Sequence, residues 1–297
     1  MTAFAPDWLY LREPADAAAR ATELLDPLRA HLAVTAGVRP PHPDREGSAR
    51  RNPRSQDFVV RDLGCGTGSL GRWLAARLPG SQHWILHDHD TDLLAHAQAS
   101  LPGTALDGSP VDAVAEQRDI TALRAADLAG TSLVTASALL DLLTRDEVAA
   151  LATAVVEAGC AALLMLSVTG KVELSPADPL DPAMATAFNA HQRRVTEDGR
   201  RLLGPNAVDV AATAFGRLGA RVVRADSAWR LGPDQAELQR QWLEGWVGAA
   251  VEQLPELRPV ADVYLQRRLE MARSGELHAV IHHGDLLVLP PNGEVAA

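Results

Sequence analysis

Phe58-Val59-Val60-Arg61-Asp62-Leu63-Gly64-Cys65-Gly66-Thr67-Gly68-Ser69-Leu70-Gly71-Arg72-Trp73-Leu74 is the stretch on which the fold turns. Its first half reads as a short buried strand. From Ser69 onward Leu70, Trp73, Leu74 and Leu78 return at helical spacing, so a helix follows. Gly64, Gly66 and Gly68 separate the two. Glycine accepts backbone angles closed to other residues and lets a ligand approach the main chain. A strand, a glycine turn and a helix start together build a nucleotide pocket at the carboxyl edge of a parallel sheet.

Gly66-x-Gly68-x-x-Gly71 matches the dinucleotide fingerprint, but that spacing alone is a weak signal. Asp62, two residues before the first glycine, decides more. A carboxylate there is a poor neighbour for a pyrophosphate and a good one for a ligand carrying ammonium and sulfonium charges. The run resembles the first motif of the class I S-adenosylmethionine-dependent methyltransferases, acid-x-Gly-x-Gly-x-Gly. By motif order and spacing the resemblance extends over about two thirds of the chain. It implies S-adenosyl-L-methionine as cofactor, with Asp62, Gly64, Cys65, Gly66 and Gly68 around it. The implied activity is methyl transfer to an oxygen, nitrogen or carbon nucleophile of a small molecule. The alternatives are a nicotinamide-dependent oxidoreductase using the offset glycines, and a non-catalytic cofactor-binding or partner protein.

Outward from the turn, strands and helices alternate. Strands are read at His83–His87, Ala113–Gln117, Thr131–Ala136, Ala161–Val168 and Arg221–Ala225. His278–His282 with Leu286–Leu289 reads as one bent strand or a short pair. Helices are read over Thr91–Ser100, Asp146–Ala158 and Asn206–Leu218. This order predicts an α/β doubly wound, mostly parallel seven-stranded sheet with helices on both faces. A helix over 14–34, with Pro14 at its first position, and a linker over 36–56 form an N-terminal segment, residues 1–56. Residues 57–297 form the Rossmann-like domain, with a helical lid inserted at about 234–274. The linker holds the one basic cluster, Arg45, Arg50, Arg51 and Arg54, which reads as a solvated loop.

Further residues follow from strand ends and from the resemblance. Asp88 ends the second strand, 20 residues after Gly68, where the family places the acid that accepts the ribose hydroxyls; His89 beside it is counted with the cofactor-facing residues. Asp119 and Ile120 match the position that meets adenine. Ala136, in Thr135–Asp141, lies where the backbone passes the methionine portion. Arg12, in Trp8-Leu9-Tyr10-Leu11-Arg12-Glu13, is assigned to the methionine carboxylate. Direct methyl transfer needs alignment more than acid–base equipment. A base helps where the nucleophile carries a proton, and Asp141 and His191 are the catalytic candidates. His87-Asp88-His89-Asp90 suggests a metal, but strand alternation would send the histidines one way and the aspartates the other, so none is expected. Leu238, Trp242, Trp246 and Tyr264 read as core between lid and sheet.

The 297 residues carry a net charge of −10, which argues against a nucleic-acid substrate. With 47% hydrophobic residues a sizeable core is available. The two cysteines, Cys65 and Cys160, form neither a disulfide framework nor a metal spacing. No signal segment and no apolar run long enough for a bilayer is read, so a cytoplasmic protein is expected.

Overall fold

The computed structural model describes residues 6–35 and 57–291, so the linker and its basic cluster lie outside the described residues. Seven strands form one sheet: β1 (Asp57–Leu63), β2 (Ser81–Asp88), β3 (Val111–Gln117), β4 (Leu133–Ser137), β5 (Ala161–Ser175), β6 (Arg221–Leu231) and β7 (His278–Leu289). Their order is β3-β2-β1-β4-β5-β7-β6, and only β7 runs against its neighbours. The chain crosses from β1 outward to β2 and β3, then returns to the other side of β1 with β4. That reversal opens a crevice at the carboxyl ends of β1 and β4.

Helices cover both faces. α1 (Pro6–Ala19), α2 (Leu25–Thr35), α3 (Ser69–Ala75) and α4 (Thr91–Ser100) precede β3; α5 (Arg145–Glu157), α6 (Asp181–Gln192) and α7 (Ala207–Arg217) follow β4. α8 (Ala236–Gln253) and α9 (Arg258–Ser274) are the insertion between β6 and β7. Leu28 and Leu32 of α2 share one core with Trp73, Leu74 and Trp84. Val148, Leu151 and Val155 of α5 pack with Phe215 of α7 on the opposite face. A third core joins Trp229, Leu243, Trp246, Tyr264 and Ile281 beneath the insertion. It is tied to α6 by Arg268, whose guanidinium donates to both Asp181 oxygens at 2.5 and 2.7 Å.

Two expectations need correction, the N-terminal helix and the ends of β5 and β6. The helix expected over 14–34 is two helices. Pro6, not Pro14, opens the first, and Pro14 lies inside it. The run breaks at Arg20 because the Ala21 N–H donates to the Asp285 carboxylate at 2.9 Å, a distant acceptor that displaces the helical one. β5 and β6 continue to Ser175 and Leu231, well past Val168 and Ala225. Their outer halves alternate in burial because only the lid covers them, on one face. Residues 170–200 contain α6, whose apolar stripe is short. The segments 278–282 and 286–289 are one strand, β7, paired to β6 without a break from Arg221–Leu289 to Leu231–Ala279.

Candidate cofactor and acceptor chambers

The site begins with the bend after β1. Gly64, Gly66 and Gly68 have φ of 62°, 54° and 85°, the left-handed region where a side chain is strained. Cys65 N–H donates to the His87 carbonyl at 2.9 Å, and Gly66 N–H donates to Asp88 Oδ2 at 2.9 Å, so the bend is stapled to the end of β2. A Cβ on Gly68 would stand 3.0 Å from the Cα and Cβ of Ala97 in α4. Gly68→Ala is therefore expected to cost about 2–3 kcal/mol, summing left-handed strain and overpacking. A urea midpoint equal to that of the wild type would contradict this account of the bend.

Around the bend lies a chamber of about 660 Å³, within the usual range for a small-molecule site. Of the residues assigned to the cofactor from sequence, Arg12, Asp62, Gly64, Cys65, Gly66, Asp88, His89, Asp119 and Ile120 line it. Gly68 and Ala136 do not: Gly68 faces α4, and Ala136 is buried behind Ser137 and Ala138, which take the wall. Ala138 holds a φ of 52°, an uncommon conformation for a residue with a Cβ, and sits where two chambers meet.

Asp62 and Asp88 stand at the tips of adjacent parallel strands and line this one chamber. Asp62 is 1% exposed; its Oδ1 accepts from the Thr135 hydroxyl at 2.7 Å, and its Oδ2 has no partner among the described residues. Burial pushes its carboxyl up to about 7, against the Thr135 hydrogen bond and the Arg20 charge, and the Asp88 charge adds to the rise. Asp88 accepts from Gly66 N–H and, through Oδ1, from Asp90 N–H at 3.1 Å. Asp119 accepts from the Thr121 N–H and hydroxyl at 2.9 and 2.7 Å, bonds that hold its carboxyl below the ordinary range.

The expected facing of His87-Asp88-His89-Asp90 needs correction, because β2 ends at Asp88 and alternation stops there. His87 is buried against Arg61 at 3.0 Å, and desolvation, with Arg61 next, pushes it down to about 4. His89 faces the chamber, and Asp90 caps α4 through the N–H groups of Asp92 and Leu93. Among the described residues no three of His, Cys, Asp and Glu come together as a metal site would require. Burial also pushes the Cys65 thiol up, so it packs as an uncharged group.

A second chamber, about 1470 Å³, lies under α6 and α8 over the outer halves of β5, β6 and β7. It shares Arg12, Ala138, Leu142, Asp198 and Arg200 with the first. Arg200 bridges the junction, donating to Glu147 at 2.9 and 2.7 Å and to the Leu142 carbonyl at 3.1 Å. Asp141 and His191 both line this second chamber. Burial pushes Asp141 up to about 6, and its Oδ1 has no partner among the described residues. His191 lies in the last turn of α6, 3.4 Å from Glu252. Trp8, Phe188, Trp229, Trp242 and Trp246 form the apolar wall. Trp242 and Trp246 stack at 5.2 Å, so these aromatics belong both to the lid core and to the cavity.

Of the charged residues of the first chamber that sequence reasoning missed, Asp16 and Arg20 are the buried ones. Both sit on a stretch that reads as an ordinary helical face; Asp16 is buried within α1, and Arg20 stands at the break that follows it.

The model of a methyltransferase domain matches residues 60–158, about a third of the chain, from the middle of β1 to the end of α5. No curated protein matches the chain. Among solved structures, the cyclopropane synthase MmaA2 of Mycobacterium tuberculosis is 13% identical over 89% of this chain and 83% of its own, with a TM-score of 0.42. A SAM-dependent methyltransferase from Geobacter sulfurreducens, in complex with S-adenosyl-L-homocysteine, is 16% identical over 91% of each chain, with a TM-score of 0.38. Likeness at that level carries no argument about what this chain binds.

Proposed function

We propose that this chain, whose residues 60–158 match the model of a methyltransferase domain, takes S-adenosyl-L-methionine in the smaller chamber and a small-molecule methyl acceptor in the larger one. One observation carries this reading. Two buried carboxylates, Asp62 and Asp88, flank a bare glycine bend in a chamber edged by a third, Asp119. Arg12, Arg118 and Arg200 also line this chamber but are paired with Asp16, Asp127 and Glu147, so carboxylates dominate the bend itself, a poor cradle for a pyrophosphate and a good one for a cationic adenosine.

The residues fit that group. Asp88, anchored by two backbone N–H groups, keeps further lone pairs for the ribose hydroxyls. Asp119 and Ile120, on the chamber wall, would meet the base, and the Asp62 carboxylate, whose Oδ2 has no partner among the described residues, would take the ammonium. When bound, the cofactor supplies a methyl group already activated by its sulfonium. The chain's own part is to hold the acceptor in line and exclude water. Ala138, Leu142 and Arg12 form the junction through which the two chambers communicate. Among the aromatics of the second chamber, Asp141 accepts a proton from an acceptor that must lose one, since it is largely ionised at neutral pH. His191 is the second candidate. His283 is not a base: burial, with Arg12 next, holds it down to about 3.

Thermal shift separates this reading from a nicotinamide enzyme. S-adenosylhomocysteine at a hundredfold excess over its dissociation constant should stabilise the fold by about 2.7 kcal/mol, while NADH should leave it unmoved. Stabilisation by NADH and none by S-adenosylhomocysteine reverses the reading.

A further inference from the structure

Arg20 has the most incomplete surroundings of the charged side chains facing the smaller chamber. It is 3% exposed. Its Nη2 donates to the Ser69 hydroxyl at 3.0 Å, and its guanidinium lies 5.5 Å from the Trp73 ring centre. Nε and Nη1 have no partner among the described residues. A guanidinium brings five N–H donors, so most of its hydrogen-bonding capacity is unmet where water is largely excluded.

The carboxylates around Arg20 are committed elsewhere. Asp16 accepts from Arg12 Nε and from Trp229 Nε1, both at 2.9 Å. Asp285 accepts from Ala21 N–H, Leu166 N–H and the Ser227 hydroxyl. Asp62 gives Oδ1 to Thr135. Their charges act on Arg20 from a distance, and desolvation still pulls it down to about 10. Arg12 differs: Asp16 occupies its Nε, and its guanidinium stacks over Trp229 at 5.3 Å, between the chambers.

We propose that Arg20 is the anchor of the cofactor's α-carboxylate, and that with Asp62 it reads the amino-acid end as a zwitterion, anion to Arg20 and ammonium to Asp62. The sequence reading gives that role to Arg12; Arg20 suits it better because it lines the chamber with two donor nitrogens unpartnered among the described residues, whereas Arg12 is held by Asp16 and Trp229. A planar carboxylate matches two guanidinium donors at once, and the low-dielectric setting strengthens the contact. The bend that delivers Arg20 is itself fixed, since Ala21 is held by Asp285. The proposal rests on the cofactor assigned above.

The test is calorimetric titration of the full-length protein with three ligands: S-adenosylhomocysteine, its decarboxylated analogue, and 5′-methylthioadenosine, which lacks the amino-acid end. The wild type should prefer S-adenosylhomocysteine over the decarboxylated analogue by about ten- to a hundredfold, the range for a charge-assisted hydrogen bond. Arg20→Met should erase most of that preference and keep affinity for 5′-methylthioadenosine; Arg20→Lys should restore part of it. A wild type that binds S-adenosylhomocysteine without preferring its carboxylate, or an Arg20→Met protein that keeps the preference, overturns this proposal alone. A wild type that binds none of the three overturns the cofactor assignment with it. If Arg20→Met does not fold, a wild-type crystal structure with S-adenosylhomocysteine decides: its carboxylate beyond hydrogen-bonding distance of Arg20 defeats the idea.

Discussion

Asp62→Asn should make the unliganded protein more stable at pH 8 and cripple its binding of S-adenosylhomocysteine. The two effects have one cause. The Asp62 carboxyl sits at about 7 in the folded chain against an ordinary value of 3.8. Between those values the folded state keeps a proton that the unfolded state has released. Wild-type stability therefore falls as pH rises from about 4 to about 7, and the full penalty stands above 7. A shift of that size corresponds to about 2–4 kcal/mol. It is already net of the Arg20 charge and the Thr135 hydrogen bond, both of which pull the other way. Asparagine has nearly the same shape and no charge, so the penalty disappears. It also offers no anion to an ammonium, and affinity should drop at least tenfold, about 1.4 kcal/mol. Urea unfolding at pH 5 and pH 8, with titration calorimetry on both proteins, checks the pair. A residue of purely structural importance would lose stability and binding together. An unchanged affinity would remove Asp62 from the site, and an unchanged pH dependence of stability would contradict its burial as the cause.

The strand-by-strand frame was legible because β1, β2, β4 and the inner half of β5 are buried on both faces and read as short apolar runs between turn signals. The acids at the strand tips were legible for the same reason: once a strand end is located, the residue after it is placed. The N-terminal segment was not. Nothing local says that the helix carrying Arg12 and Asp16 must break before Ala21, because the group that breaks it, Asp285, lies 264 residues away. Arg20 was therefore invisible as a site residue. The lid and α6 follow the same rule. Their aromatics show helical spacing, but whether Trp242 lines a cavity or fills a core depends on how far α8 stands from β7, which periodicity cannot report. Asp141 and His191 share a chamber, yet they reach it from the turn after β4 and from the last turn of α6. No sequence distance encodes that meeting.

Asp285→Ala should cost more stability than any other single polar substitution discussed above, about 3–5 kcal/mol, the scale for removing one partner of a buried charged network. The side chain is fully buried and serves three donors from three parts of the chain. Oδ2 accepts from Ala21 N–H at 2.9 Å; Oδ1 accepts from Leu166 N–H and the Ser227 hydroxyl, both at 2.7 Å. Leu166 needs that bond most, since it holds a φ of 57° where the pairing of β5 with β7 slips between Leu164 and Ser167. Without the carboxylate all three donors are stranded in the core, at about 1–3 kcal/mol each. Burial raises the Asp285 carboxyl above its ordinary value, so part of its own cost vanishes with it, which keeps the net below the plain sum. Asp285→Asn separates the two contributions. The amide oxygen can still serve Leu166 and Ser227, but its NH2 then faces the Ala21 N–H, so one donor is lost and about 1–3 kcal/mol with it. The smaller loss falls at the break that turns Arg20 toward the chamber. The asparagine protein should therefore fold, with affinity for S-adenosylhomocysteine reduced and affinity for 5′-methylthioadenosine nearly intact. Equal losses for both ligands would mean that Asp285 braces the sheet and does nothing particular for the segment that carries Arg20.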